Sequence, residues 1–200
     1  MIVLSGTNID ARTIIITVAV IAVIVVFVLV KSHFDTKKGV DSEEKRFVED
    51  AVKNVVPAGE PYTAAYAHWE MTEYHGRSST TRYWYYAIGF NDDRLYVIPL
   101  QKVDKELRQG APYCINKSDL GMVNAKKGNI WMTFYDKDKE EIVTMMVAAS
   151  NTKDDSFHPV NIQQPEAAAA WLQFMDQWLA DVNSANGVTV TGKLGKPLKK

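Results

Sequence analysis

The segment 82-RYWYYAIGFNDDRLYVIPL-100 carries the clearest structural signal in this sequence. Its first half, residues 82–90, is rich in tyrosine and tryptophan, which fit the half-buried surface of a pleated strand. The polar triplet Asn-Asp-Asp at residues 91–93 favours a turn, and residues 95–100 form a second apolar run. The segment therefore predicts an antiparallel β-hairpin at the centre of the fold.

Four consecutive aromatic residues in this hairpin are the predicted partner-binding residues: Tyr83, Trp84, Tyr85 and Tyr86. Because side chains alternate along a strand, one pair (Tyr83 with Tyr85, or Trp84 with Tyr86) faces inward and the other outward. Outward-facing aromatic side chains supply large, rigid contact area to a protein partner. The alternative is that a neighbouring helix or the linker covers them.

Strand patterns continue on both sides of this hairpin, and two amphipathic helices flank the whole set. The first helix begins at Asp41 or Ser42 and extends to Val56, after which proline and glycine stop it. The last helix begins at Pro165 and carries tryptophans on its apolar face. Residues 74–80 are predicted as a loop. Further strands are predicted at residues 62–72, 113–115, 120–123, 130–135, 142–149 and 158–162.

This order of elements, a helix, six or seven antiparallel strands and a closing helix, is an α+β arrangement. Over residues 58–183 it resembles the bacterial pleckstrin-homology-like (PH-like) domains. The resemblance rests on the element order, on Gly59 and Glu60 before the first strand, on the aromatic hairpin 83–100 and on the tryptophan-containing last helix. It implies a bent antiparallel sheet that forms a partly open barrel, capped by that helix. Cystatin-like and nuclear-transport-factor-like folds are the alternatives, but they place their long helix first.

Residues 13–30, TIIITVAVIAVIVVFVLV, form an apolar run without a charged residue. At a rise of about 1.5 Å per residue it covers about 27 Å, close to the thickness of a bilayer core, and predicts one transmembrane helix. No small-x-small cleavage site follows it, which argues against a removed signal peptide. Lys31, Lys37 and Lys38 follow the run, whereas Arg12 alone precedes it. The positive-inside rule therefore places the C-terminal domain in the cytoplasm and the N-terminus outside.

These patterns divide the chain into five segments. They are an extracytoplasmic tail (1–12), the transmembrane helix (13–30), a linker (31–42), a soluble PH-like domain (43–184) and a basic flexible tail (185–200).

The charge balance argues against a nucleic-acid partner. The formal net charge is −1, and acidic residues outnumber basic ones between residues 43 and 184, so a nucleic-acid partner is not expected.

Cys114 is the one cysteine, so no intramolecular disulfide forms, which fits a reducing compartment. We expect Cys114 to be a buried or half-buried apolar residue.

A phosphoinositide headgroup is also not expected. Some pleckstrin-homology domains bind one through several cations near the first strand-to-strand loop. Here that region offers Arg77, Arg82 and His75 among Glu70 and Glu73, too few cations for a multiply charged headgroup.

Sequence motifs for catalysis are missing. The chain has no glycine-rich phosphate loop, no His-Glu-x-x-His, no paired cysteines and no Gly-x-Ser-x-Gly. His68 and His75 with Glu70 or Glu73 could form a metal site only if brought together, but strand neighbours alternate faces and no third ligand is indicated. We expect His68 to pack on an aromatic neighbour and His75 to be a solvated loop residue. We therefore assign no catalytic, cofactor-binding or metal-binding residue.

The sequence thus favours a membrane-anchored, non-enzymatic binding or scaffold module at the cytoplasmic face. Its partners would be the bilayer, through residues 13–30, and a protein or a peptide added to a sheet edge. Two alternatives stay open: an enzyme whose site is assembled from residues distant in sequence, and an extracytoplasmic domain on an inverted anchor.

Overall fold

The computed structural model describes residues 43–103, 106–126, 131–152 and 159–188. It is an α+β fold with an open antiparallel sheet and a C-terminal helix, which confirms the predicted fold class at this level. The elements are α1 (Glu43–Lys53), β1 (Thr63–His75), β2 (Ser78–Phe90), β3 (Arg94–Val103), β4 (Glu106–Gln109), β5 (Tyr113–Asn116), a 3-10 turn (Lys117–Asp119), β6 (Leu120–Lys126), β7 (Trp131–Asp136), β8 (Glu141–Met146), β9 (Ser150–Asn151), β10 (Ile162–Gln163) and α2 (Pro165–Ala185).

The main sheet has the strand order β4-β3-β2-β1-β8-β7-β6 within the described residues. β5 also pairs with β3, so β4 and β5 lie end to end along one edge of that strand. Between them the Gly110 N–H donates a hydrogen bond to the Pro99 carbonyl at 2.7 Å. β1 pairs with β8 only at His68 and Met146, so the two halves of the sheet meet at a single residue pair.

α2 covers one face of the sheet. Its apolar residues recur three and four positions apart, which places Trp171, Phe174 and Trp178 on one stripe. Phe174 lies between the two tryptophans, with ring centroids 5.0 and 4.5 Å away, and contacts Phe90 of β2 at 5.1 Å. The Trp178 indole donates a hydrogen bond to the Asp92 carbonyl at 3.0 Å. The larger core therefore lies between α2 and the sheet.

α1 covers the opposite face over β1, β2 and β3. Val48, Ala51 and Val52 are buried there with Tyr66 of β1. A Cβ added at Gly89 would lie 2.5 Å from Val52 Cγ1, so the absence of a side chain at Gly89 lets the helix approach the strand.

Two amide side chains on or next to α2 complete strand hydrogen bonding that no strand supplies. The Gln164 side chain accepts from the Tyr66 N–H at 2.9 Å and donates to the Tyr66 carbonyl at 2.8 Å. It also donates to the Ala148 carbonyl, beyond the end of β8, at 2.9 Å. The Asn183 side chain bonds the N–H and the carbonyl of Val123 on the outer edge of β6, both at 3.0 Å. These amides hold strand backbones that would otherwise be buried without partners.

Most predicted elements are present, with shifted ends. α1 ends at Lys53 and the chain then turns through residues 54–56, and the last helix begins at Pro165 as predicted. The strand at Glu106–Gln109 was missed. The expectation of a buried or half-buried Cys114 is wrong, because the alternation of β5 places Ile115 in the core and leaves Cys114 exposed.

The predicted transmembrane helix 13–30, the tail 1–12 and the linker 31–42 lie outside the described residues. Of the predicted basic tail, only residues 185–188 are described, and they end α2. Among the helices that are described, none combines the length and the apolarity needed to cross a membrane.

The hydrogen bonds between the Asn183 amide and Val123 on the outer edge of β6 can be tested directly. Asn183→Ala leaves the N–H and the carbonyl of buried Val123 unpaired, and we expect it to lower the free energy of unfolding by about 2–4 kcal/mol. The matched control is Gln173→Ala, an exposed position on α2, which should change it by less than about 0.5 kcal/mol. Urea unfolding followed by tryptophan fluorescence measures both. Equal losses for the two variants would contradict this role of Asn183.

Candidate partner-binding site

The β1–β2 hairpin extends beyond the sheet. β1 pairs with β8 only at His68, and β2 pairs with β3 only from Tyr85 onward. Past these points, seven further residue pairs run from Trp69–Trp84 to His75–Ser78, and no other described strand pairs with either edge. We call residues 69–84 the ribbon. At about 3.3 Å per residue it extends about 20 Å from the sheet.

The ribbon is regular because its sequence supports a tight hairpin. Gly76 has φ +66° at the first position of a two-residue turn, where glycine tolerates the positive φ of hairpin turns. The hydroxyl groups of Thr72 and Thr81 lie opposite each other, 2.9 Å apart and hydrogen-bonded. The predicted loop at residues 74–80 is therefore wrong. The serines and threonine of this segment form cross-strand pairs with β1.

One face of the ribbon continues the face of the sheet that α2 covers. At its base Trp69 and Trp84 are directly opposite on neighbouring strands, and the Trp69 ring contacts Trp131 of β7 edge-on at 5.9 Å. Farther out, Arg82 lies 3.7 Å from Glu73. Along this face the residues are therefore aromatic at the base, where Trp69 contacts β7, and charged farther out.

The other face carries Glu70, Thr72 and Tyr74 from β1 with Tyr83 and Thr81 from β2. Tyr74 is 81% exposed, far more than the other large apolar residues that are exposed. The ribbon thus presents an aromatic ring near its tip.

The four predicted partner-binding residues fall in two different places. Tyr83 and Trp84 belong to the ribbon and are half-buried. Tyr85 packs at the edge of the core under α1, and Tyr86 is buried in the core under α2, where desolvation raises its hydroxyl pKa. Helices thus cover one side of Tyr85 and Tyr86, and the assignment of all four to a partner stays a prediction. Tyr74 was not singled out from the sequence. The alternating positions of Thr72, Tyr74 and Gly76 just before the turn could have indicated that Tyr74 lies on one face of a strand.

Two histidines, His68 and His75, lie within the described residues. His68 is buried on β1 and its ring stacks on Tyr66 with centroids 5.9 Å apart, as predicted. His75 is exposed as expected, but at the end of a strand, 3.8 Å from Glu73. In the part of the chain that the structure describes, no three His, Cys, Asp or Glu side chains gather into a metal-binding group.

A polar cleft of about 620 Å³ lies at the opposite end of β1, beside the β2–β3 turn. The Glu60 carboxylate there accepts hydrogen bonds from Asn91 Nδ2 at 2.7 Å, from the Tyr96 hydroxyl at 2.9 Å and from Arg94 Nη1 at 3.0 Å. Asn91 also donates to the Pro61 carbonyl. These contacts tie the segment before β1 to the turn, so we assign the cleft a structural role.

Comparisons with known proteins add no relative. No protein-family model matches the chain, and searches of curated proteins and of solved structures return no significant match. The functional argument therefore rests on the residues described above.

Glu60 gives a pH-dependent test. Desolvation raises its pKa, but the hydrogen bonds from Asn91 and Tyr96 and the charge of Arg94 outweigh it, so the pKa lies below its ordinary value of 4.5. Ionised Glu60 therefore stabilises the fold, fully above about pH 4.5, and the contribution is lost as pH falls through the lowered pKa. Glu60→Gln should be less stable than the unmodified chain at pH 7, and the gap should close in acid.

Urea unfolding between pH 7 and pH 3 measures this gap. The control is Glu140→Gln, at an exposed position beside the β7–β8 turn. A gap for Glu60→Gln that is constant over the whole pH range would contradict the assignment.

Proposed function

We propose that this chain is a membrane-anchored, non-enzymatic binding module that holds a protein partner at the cytoplasmic face of the membrane. The observation that carries the proposal is the ribbon: a long, regular hairpin whose outer edges are paired with no other described strand. Exposed strand edges are templates for pairing with another chain.

We further propose that the folded domain is PH-like. If β4 and β5 are taken as one interrupted strand, the main sheet has seven strands, and β1 lies beside β8. The antiparallel sheet and the last helix packed on it are features that the sequence resemblance also implies, and they support the proposal.

Anchoring rests on the apolar run at residues 13–30 and the lysines that follow it. The linker 31–42 has a maximal span of about 40 Å at about 3.4 Å per residue, so the folded domain is kept close to the bilayer.

The non-enzymatic part of the proposal is supported by the hydrogen bonds that the polar side chains of the cleft make with one another. Glu60, Arg94, Tyr96 and Asn91 lie in a cleft of the size that ligands use, but they bond to one another. Groups that satisfy one another in this way stabilise the fold.

Deletion of residues 13–30 tests the anchor. The full chain should stay in the membrane pellet after carbonate washing, whereas the deleted chain should move to the supernatant, because the hydrophobic contribution of the run is lost. Full-length protein in the supernatant would overturn the anchor.

Orientation is tested by cysteine labelling of intact cells. In a Cys114→Ser background, a cysteine placed at Lys196 should react with a membrane-impermeant maleimide only after permeabilisation. Reaction in intact cells would support the extracytoplasmic alternative.

A photo-crosslinker at the ribbon tests the partner contact. A photoreactive phenylalanine analogue in place of Tyr74 should give covalent protein adducts in membranes, because this ring is the most exposed aromatic of the ribbon. The same analogue at Leu172, an exposed position on α2, is the control and should give few. Equal adducts at both positions, or none at Tyr74, would contradict the ribbon as the binding surface.

A further inference from the structure

The outermost residues of the ribbon, 74–79, are all exposed, and we call them the tip. They present two large side chains. Tyr74 is 81% exposed, and Arg77 occupies the second position of the turn between the paired residues His75 and Ser78. Tyrosine and arginine are over-represented among the few residues that dominate the binding energy of protein interfaces. The tip therefore carries the side chains of an interface anchor.

Local contacts hold the tip in one conformation. Gly76 has φ +66°, which a tight hairpin turn requires, and the Ser78 hydroxyl donates a hydrogen bond to the His75 carbonyl at 3.1 Å. Nearer the base, the hydroxyl groups of Thr72 and Thr81 are hydrogen-bonded across the strands. Because the tip is already ordered, binding it costs less conformational entropy than ordering a flexible loop would.

Arg77 is the charge that the tip presents to a partner. The other cations of the outer ribbon share one carboxylate, since Glu73 lies 3.7 Å from Arg82 and 3.8 Å from His75. Arg77 forms no ion pair within the described residues. The chain carries no acidic residue from 74 to 82, so the end of the ribbon is positively charged.

The folded domain as a whole has the opposite charge. Acidic residues outnumber basic ones between residues 43 and 184. An acidic partner surface is therefore repelled by the body of the domain and attracted by the tip. Charge complementarity of this kind sets the direction of approach and rejects wrong partners. It favours an acidic partner that meets the ribbon end first.

From these observations we propose that the tip enters an acidic cleft of the partner protein. Tyr74 fills an apolar pocket of that cleft, where its ring supplies rigid contact area. Arg77 pairs with a carboxylate of the cleft, which the planar guanidinium can bind through two parallel hydrogen bonds. The contact is made by side chains at the end of the hairpin and needs no strand pairing along its edges.

The proposal deepens the proposed function by naming the chemistry of the partner. It rests on the ribbon as the binding surface, and it is independent of the order of the partner's own strands and helices. Three measurements test it, each on the full chain in membranes.

Charge variants of Arg77 test the carboxylate contact. The chain carries the photoreactive phenylalanine analogue at position 74, and the yield of protein adducts is measured. We expect Arg77→Lys to keep most of the yield, Arg77→Gln to lower it, and Arg77→Glu to lower it at least about tenfold, because attraction becomes repulsion.

The matched control is Lys137→Glu, the same charge reversal at an exposed position in the β7–β8 turn. It should leave the yield unchanged. Equal yields for Arg77→Glu and Lys137→Glu, or a higher yield for Arg77→Glu than for the unmodified residue, would overturn the proposal.

Ionic strength gives a readout that a folding defect cannot imitate. Raising NaCl from about 50 mM to about 500 mM screens charges beyond a few ångströms. The adduct yield should fall several-fold with Arg77 present and change little in Arg77→Gln. The same response to salt in both chains would contradict the contact between Arg77 and a carboxylate.

The aromatic contact is tested from the opposite strand, with the photoreactive analogue at Ser79, which pairs with Tyr74. Tyr74→Phe should keep the adduct yield because the ring remains, and Tyr74→Ala should lower it at least about tenfold. The control is Met71→Ala, an exposed position on the other face of the ribbon, which should keep the yield. Equal losses for Tyr74→Ala and Met71→Ala would exclude the pocket for Tyr74.

The outcomes separate this proposal from the proposed function. Protein adducts from position 74 that depend neither on Arg77 nor on salt overturn the acidic cleft alone. An absence of protein adducts, or adducts to lipid in their place, contradicts the ribbon as the protein-binding surface, and the acidic cleft with it.

Discussion

The fold depends on the contact between α2 and the two halves of the sheet. β1 and β8 share one residue pair, so direct strand pairing alone does not hold the halves together. The Gln164 amide bridges the backbone of Tyr66 to that of Ala148 where the pairing stops, and Asn183 binds the far edge at Val123. Between these two amides the aromatic stripe of α2 fills the core. One helix thus supplies apolar burial and replaces missing strand hydrogen bonds.

This arrangement explains why the β1–β2 hairpin continues past the rest of the sheet. The sheet halves diverge after His68, and α2 follows the body of the sheet, where its aromatic residues are buried. The two strands of the hairpin therefore continue together past the body. Their pairing satisfies one edge of each strand, and past His68 and Tyr85 no described strand is paired with the other edges.

Local pattern predicted much of the fold. The aromatic hairpin, the acidic start of α1, the proline that opens α2 and the α+β class all follow from short-range periodicity and from residues that start or stop an element. Prediction failed where contacts distant in sequence decide the outcome. The Ser-Thr run at 78–81 is a strand because it pairs with β1, and Cys114 is exposed because Ile115 takes the inward position of β5.

The sequence by itself determined the helices, the central hairpin, the charge distribution and the apolar run at residues 13–30, because each follows from neighbouring residues. Only the tertiary structure decided that Gln164 and Asn183 replace strand partners, that Tyr85 and Tyr86 lie against the two cores, and that the β1–β2 hairpin continues past the strand pairs of the sheet. Whether a backbone edge is covered depends on which distant segment packs beside it, and local composition does not carry that information.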